Sequence, residues 1–370
     1  MSERPLRILH LLNSVRETGN GIINTAIDLA WGQARLGQEV HIASAGGEFE
    51  SRLTEWGIAH HALDQRRGPI TLVRAAGRLR GLLRDLRPDV VHAHMMTGAV
   101  LTCLVRQPRA RGGPLLVGHV HNVYQRSARL MALADVVLCC GTAVRETMRA
   151  RGVPADRLRV VLNGTVGSPR LPDPATVAPA TLSHPAIVTV AGMSVRKGID
   201  ELIGAFSAVA NEYPDAHLYL VGDGPDRARF EEQARRTAAA HHIHFEGFQR
   251  DPTPWLRAAD IFVLASHRES FPIVLGEARA AGCAIIARAV DGVPEALDEG
   301  RAGLLVDPVM PPPFDRSGMP GWRFIEPIER LLADPSAREA LRRGAREGLE
   351  RFHISRMVNE TLALYRSALP

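Results

Sequence analysis

Long hydrophobic runs are missing from this chain. No stretch of its 370 residues approaches the ~18 consecutive apolar residues that cross a bilayer. The start, Met1-Ser-Glu-Arg-Pro5, runs directly into a strand-like segment without a signal-peptide core, so a cytoplasmic location is expected. Cysteine is scarce: Cys103, Cys139, Cys140 and Cys283 show no paired metal-ligand spacing and read as reduced, buried small hydrophobes. Aromatic residues make up only 5% of the chain, and no aromatic-plus-basic motif occurs, so no nucleic-acid partner is expected.

What is present is the composition of a soluble globular protein. Hydrophobic residues make up 45% and charged residues 23%, and the length gives room for about two domains of ordinary size. The net charge of +5, carried largely by arginine, suits anionic partners such as nucleotides or lipid head groups.

Strand-like and helix-like segments alternate from the start. Leu6–Leu12 reads as a strand, residues 14–21 as a glycine-containing loop, Ile22–Leu36 as a helix and Val40–Ser44 as a second strand. The loop contains Gly19 and Gly21 but lacks the third glycine of a dinucleotide fingerprint, and no acidic residue closes the second strand, which argues against a dehydrogenase. The two glycines still let the backbone approach a phosphate closely. Leu72–Leu86 is an expected helix with Leu79, Leu82, Leu83 and Leu86 on one side, and Arg74, Arg78, Arg80, Arg84 and Arg87 largely elsewhere. Such a face is either simply solvated or touches an anionic membrane surface, which would make the protein peripheral to the inner face of the cell membrane. Asp89–His94 and Leu115–His121 are strands ending in polar residues, so His94, His119 and His121 lie at one sheet edge. Histidines there act as structural hydrogen-bonders unless three imidazole or acidic groups converge; no metal is expected.

Residues 166–185, rich in Pro, Ala, Ser and Thr, read as a linker between domains 1–165 and 186–354. The pattern then restarts with a strand at 186–191, a loop holding Arg196 and Lys197, and a helix at 199–213. A strand at 217–221 then runs into Gly222. Helix 227–240 and strand 243–245 follow, the latter leading to Gly247 and Phe248. Two restarting series imply two doubly wound parallel sheets with a cleft between them. Pro308–Pro320 reads as a surface loop, and a final helix within 355–370 could cross back onto the first half.

The densest chemistry lies in residues 265–278. Ile261–Ala265 reads as a buried strand, and Ile273–Ala281 has helical spacing, with Pro272 at the first helical position and Gly282 as the stop. This strand–loop–helix junction lies at the carboxyl edge of a parallel sheet, where ligands bind. The N–H groups of Ile273 and Val274 would face an anion such as a phosphate. Glu269 and Glu277 flank that position; carboxylates suit hydroxyls, such as those of a ribose and a hexose, although Glu269 as a helix cap and Glu277 as a solvated residue is the alternative. Arg196 and Lys197 are cations able to stabilise charge growing on a departing diphosphate.

These pieces resemble the retaining, GT-B-fold glycosyltransferases of glycosyltransferase family 4, from the Gly19/Gly21 loop to about Leu305 and more loosely to the C-terminus. The most specific element is Glu-x7-Glu, here Glu269-Ser-Phe-Pro-Ile-Val-Leu-Gly-Glu277. Val190-Ala-Gly-Met-Ser-Val-Arg-Lys197-Gly, Leu220-Val-Gly-Asp-Gly-Pro225, Asp89-Val-Val-His-Ala-His94 and Asp291-Gly-Val-Pro-Glu295 support it. The resemblance implies two Rossmann-like α/β domains facing across a cleft. It also implies transfer of a hexose from a nucleotide-diphosphate sugar to a glycan or lipid-linked hydroxyl in cell-surface polysaccharide biosynthesis. By it, Glu277 binds the donor ribose, Glu269 the transferred sugar, and Lys197 with Arg196 the diphosphate. Gly247 and Phe248 lie by the base, Gly19 and Gly21 reach the phosphate, and His121 contacts the sugar near the reacting carbon. Front-face attack with retention then needs no protein nucleophile, and the absence of any Asp-x-Asp agrees with metal-independent, cofactor-free chemistry. Two departures stand out: Met193 occupies a place where the family commonly has arginine, and the proline-rich 308–320 segment replaces a short connection. A GT-B-fold UDP-sugar epimerase and a non-catalytic nucleotide-sugar-binding subunit are the alternatives.

Overall fold

The computed structural model describes residues 4–66, 68–308 and 321–369. The chain divides into two compact units: unit 1 is Met1–Pro169 with Arg351–Pro370, and unit 2 is Arg170–Glu350. The proline-rich segment expected to be a surface loop lies, from residue 309 to 320, outside the described residues.

Unit 1 is built on strands β1 (Arg7–Leu11), β2 (Glu39–Ser44), β3 (Ala59–Ala62), β4 (Val90–Ala93), β5 (Leu115–Val120), β6 (Val136–Cys139) and β7 (Leu158–Val160). They form one parallel sheet in the order β3-β2-β1-β4-β5-β6-β7. The central strands are buried along their length, as expected for parallel strands covered on both faces. The first helix, Gly21–Arg35, starts with Gly21 itself, because the Asn20 side chain accepts a hydrogen bond from the Ile22 N–H at 2.9 Å. The expected loop therefore stops at Asn20, and Gly19 alone takes the left-handed conformation (φ +67°). The arginine-rich helix spans Pro69–Leu86, three residues longer at its start because proline suits a first helical turn. Ala75, Leu79 and Leu82 are buried, while Arg74, Arg78, Arg80, Arg84 and Arg87 are exposed.

The C-terminal helix, Ile354–Ala368, belongs to unit 1. Ile354, Met357, Val358 and Leu362 join Ile8, Leu29, Val117 and Leu138 in one core. A Cβ on Gly32 would lie 2.4 Å from Val358 Cγ2, so glycine is what lets the first and last helices approach this closely. Residues 166–169 depart from the expected linker. The Thr165 and Val166 N–H groups donate to the Phe352 carbonyl at 2.7 and 2.9 Å, and Val166 bridges His353. The 166–185 segment thus starts inside unit 1, and the second unit runs 170–350 rather than 186–354.

Unit 2 carries β8 (Ala186–Val190), β9 (His217–Val221), β10 (Ile243–Gly247), β11 (Ile261–Leu264), β12 (Ala284–Arg288) and β13 (Leu304–Val306). The sheet is parallel, in the order β10-β9-β8-β11-β12-β13. Its core packs Ile187, Leu218, Leu220, Val263 and Ile286 against Leu202, Phe206 and Ile328. The helix expected over 227–240 is Arg227–Arg235; the Thr237 N–H and hydroxyl both bond the Ala234 carbonyl, at 3.0 and 2.8 Å, and tighten the turn beyond it.

The helix Ile273–Ala281 is anchored by Arg279, which is fully buried. Its guanidinium donates to Ala345 O (3.0 Å), Ala296 O (2.8 Å) and Asp298 Oδ2 (2.8 Å). Arg279→Met fills the volume but removes the charge facing Asp298 and the donors to buried carbonyls. Urea unfolding should show a loss of roughly 3–5 kcal/mol, the usual cost of breaking a buried pair from one side; a loss below about 1 kcal/mol would show that Arg279 does not anchor this helix.

Candidate active site

The unit 2 site begins where β8 ends. Residues Val195–Lys197 make a single tight turn closed by Gly198 at φ +65°. A Cβ there would stand 2.2 Å from the Ala265 carbonyl oxygen, so the cation loop and the loop after β11 can touch only through a glycine. The His267 N–H donates to the Arg196 carbonyl at 2.8 Å, and the Arg196 guanidinium donates to the Arg268 carbonyl at 3.0 Å. Across this seam Lys197 Nζ donates to Glu269 Oε1, and Arg196 Nη1 comes within 3.8 Å of the same oxygen. Lys197 is the only lysine in the sequence. Both it and Glu269 are largely buried, and a buried carboxylate is tolerated only beside such a partner.

Glu269 is held from behind by its backbone. Its N–H donates to Asp291 Oδ2 at 3.0 Å and its carbonyl accepts from the Gly292 N–H at 2.9 Å. Flanking it, the buried hydroxyls of Ser266 and Ser270 have no hydrogen-bond partner. Orphaned buried hydroxyls next to an oriented carboxylate are suited to a polar ligand. Pro272 is the N-cap residue rather than the first helical one, and no side chain caps the helix that starts at Ile273. The first N–H groups of that helix therefore have no intrahelical partner. Glu277, half-buried, lies about one turn further along the helix.

Gly222 and Gly247 meet at the ends of β9 and β10, where the Gly222 N–H donates to the Gly247 carbonyl at 2.8 Å. Both have positive φ, and a Cβ on Gly222 would lie 2.0 Å from the Ala191 carbonyl oxygen. Phe248 is 40% exposed. Met193 is fully buried, and its N–H and carbonyl bond Asp223 (2.9 Å) and Asp226 (3.0 Å), whereas Arg196 stands beside Lys197. The second cation of this loop is thus Arg196, not a residue at 193.

Gly19, Gly21 and His121 belong to unit 1. His121 directly follows β5 and is buried together with His10, His92, His94 and His119. The pairing of β1 with β4, register His10 to His92, and of β4 with β5 brings these five together. Burial pushes His121 down to about 3 and His10 to about 4; burial first, then neighbouring imidazoles, hold His92, His94 and His119 well below the ordinary value. All five are neutral at physiological pH.

Two triplets, His10–His92–His94 and His94–His119–His121, bring nitrogens within 4.8 Å of one another, so imidazoles do converge as a metal would require. Two of the neighbouring pairs are also stacked face to face. The His92 and His94 rings lie 4.3 Å apart at 3°, and the His119 and His121 rings 3.8 Å apart at 26°. Mutual hydrogen bonds also occupy the His10–His94 and His94–His121 nitrogens, at 2.9 and 3.0 Å.

Two family models match the chain: Glycosyltransferase Family 4 over residues 19–165 and Glycosyl transferases group 1 over residues 184–315. The chain is 32% identical over 254 residues to the alpha-maltose-1-phosphate synthase of Mycolicibacterium smegmatis, covering 63% of each chain. It is 29% identical to a D-inositol 3-phosphate glycosyltransferase of Saccharomonospora viridis, over 87% of this chain and 76% of that one. Among solved structures, Anabaena Alr3699/HepE in complex with UDP and glucose superposes with a TM-score of 0.81 at 18% identity, over 98% of this chain and 100% of that one. The chain is a glycosyltransferase of the GT-B fold.

Within this class, sequence reasoning located Lys197, Glu269 and the helix start, which the structure places at one sheet edge. It did not find Ser266 and Ser270, although both flank the signature glutamate, nor His10, His92, Gln33 and Tyr365, which surround His121's neighbours. His10 could have been suspected only from the strand order.

The histidine stack makes stability pH-dependent. Folded values are depressed from 6.5 while unfolded ones stay ordinary, so unfolding takes up protons below pH 6.5. Stability is complete above that pH and declines as pH falls toward 4, by about 1.4 kcal/mol per pH unit for each neutral histidine. Urea midpoints measured from about pH 7 to about pH 5 should fall steeply, and less so in His10→Phe; a flat profile would show that the stack is not buried as neutral rings.

Proposed function

We propose that this glycosyltransferase transfers a hexose, with retention of anomeric configuration, from a nucleotide-diphosphate sugar to a hydroxyl of a glycan or lipid-linked acceptor in cell-surface polysaccharide biosynthesis. The observation that carries this reading is the Lys197–Glu269 pair, set beside an uncapped helix start and the orphaned Ser266 and Ser270 hydroxyls. Lys197 and Arg196 bind the diphosphate and stabilise the charge that grows on it as the glycosidic bond breaks. The N–H groups of Ile273 and Val274, following Pro272, take a phosphate oxygen. When the diphosphate engages Lys197, the Glu269 carboxylate turns to hydroxyls of the transferred sugar, while Glu277 binds the ribose. Gly222, Gly247 and Phe248 border the base, Gly19 and Gly21 approach the phosphate, and His121 meets the sugar near the reacting carbon. In this reading the charge is neutralised by side chains and helix N–H groups, so neither a resident metal nor an organic cofactor is required.

Incubation with UDP-, GDP- and ADP-sugars should raise the melting temperature with one base, since a ligand at 100 times its Kd adds about 2.7 kcal/mol. With that donor, Lys197→Ala should lower kcat/KM by ~10²-fold or more. Glu277→Ala should mainly raise donor KM, and His121→Ala should mainly lower kcat. An amine-acylating reagent should inactivate the enzyme at Lys197, its sole lysine, and the donor should protect it. Unchanged kinetics in all three variants would remove the assignment, and release of an inverted sugar without acceptor would point to an epimerase instead.

For the acceptor side, we place the protein at the inner face of the cell membrane through the arginine-rich helix. No described helix is long and apolar enough to cross a membrane. Ile70 and Val73, 68% and 73% exposed, share that helix with Arg74 and Arg78. Apolar side chains beside arginines suit an anionic lipid surface. Sedimentation with phosphatidylserine vesicles should be salt-sensitive and be lost in Ile70→Asp/Val73→Asp; equal binding to neutral vesicles would exclude this contact.

A further inference from the structure

We propose that His94, His10 and Gln33 are positioning residues that lock His121 in a single tautomer, with the proton on Nε2 and the lone pair on Nδ1. The group His121 meets must then be a hydroxyl that donates a hydrogen bond, not a bare phosphate oxygen. That His121 meets the donor sugar rests on the function proposed above; the tautomer does not.

The reasoning follows one proton at a time. Gln33 Oε1, which can only accept, lies 2.8 Å from His10 Nε2, so the proton of His10 is on Nε2 and its Nδ1 carries the lone pair. His94 Nε2 is 2.9 Å from that lone pair and must donate to it. As a neutral ring, His94 then presents a lone pair at Nδ1, and His121 Nε2, 3.0 Å away, donates to it. His121 Nδ1 is left unprotonated, buried and without a partner. At the other end the Gln33 amide is oriented by Tyr365 of the C-terminal helix. Gln33 Nε2 donates to the Tyr365 hydroxyl at 3.3 Å, and that hydroxyl donates to His92 Nδ1. Every link has one donor and one acceptor, so the chain runs in one direction from His121 to His92. Depressed histidine pKa values keep each ring neutral, and a second proton on any ring would break a link. The reverse direction requires the Gln33 amide turned end for end.

Nitrogen-15 spectra of histidine-labelled protein, with His121 assigned by loss of its signals in His121→Asn, read the tautomer directly and need no turnover. The expected result is a protonated-type Nε2 and an unprotonated-type Nδ1 for His121. A protonated Nδ1, or both nitrogens shifted together by added Zn²⁺, would overturn the proposal. His94→Phe keeps the ring stack and removes both links, so it should give His121 a mixture of tautomers. It should also lower kcat at least about tenfold while leaving donor KM within about twofold, as expected when a polar group is held in the wrong protonation state. His94→Gln offers one acceptor and one donor in place of the imidazole and should restore the single tautomer and most of kcat. If Phe and Gln variants behave alike in the spectra, His94 is only packing. If the tautomer is as stated but kcat does not respond, the lock stands and the role of His121 in turnover fails.

Discussion

One buried carboxylate organises the second unit. Glu269 sits almost out of water, and a charge in that position is tolerable only with a counter-ion and backbone donors in place. Lys197 supplies the first and Asp291 fixes the backbone behind it. The two loops that bring them together can close only because Gly198 lets the cation turn rest on the Ala265 carbonyl, and Gly292 lets the other loop rest on Ser270. Local backbone geometry, ion pairing and the uncapped helix start therefore depend on one another. A side chain at either glycine would separate the charges before it touched any ligand.

The first unit meets a similar constraint with neutral groups. Five imidazoles packed out of solvent cannot all be charged; they stack on one another, and His10, His94 and His121 are joined by donor-to-acceptor links. Where the second unit uses opposite charges to keep polar groups in its interior, the first uses tautomers. Both arrangements stand at the carboxyl edge of a parallel sheet, where strand ends leave side chains free of the ladder.

Much of this was legible in the sequence, for identifiable reasons. Parallel strands such as Ile261–Leu264 are continuous apolar runs, and turns such as Gly282 announce themselves, so the two βα series, the Glu269 loop and the cation dipeptide could be placed from periodicity and resemblance. Edge strand β3, Ala-His-His-Ala, was not seen, because its half-exposed polar residues carry no strand period. The linker was drawn from composition, but hydrogen bonds from Thr165 and Val166 to Phe352 put its first residues in unit 1. The histidine chain was invisible for a deeper reason. His10 lies beside His92 through the non-consecutive pairing of β1 with β4, and Gln33 and Tyr365 are 332 positions apart.

The return of the last helix also constrains how the protein is made. Met357, Val358, Leu362 and Tyr365 complete the core beneath β1, β4 and β5, yet they follow the whole of unit 2 along the chain. The first unit must therefore wait, with an apolar face uncovered, while the whole of the second is synthesised. By topology its folding can finish only after the second unit has been made, whatever the speed of its local steps.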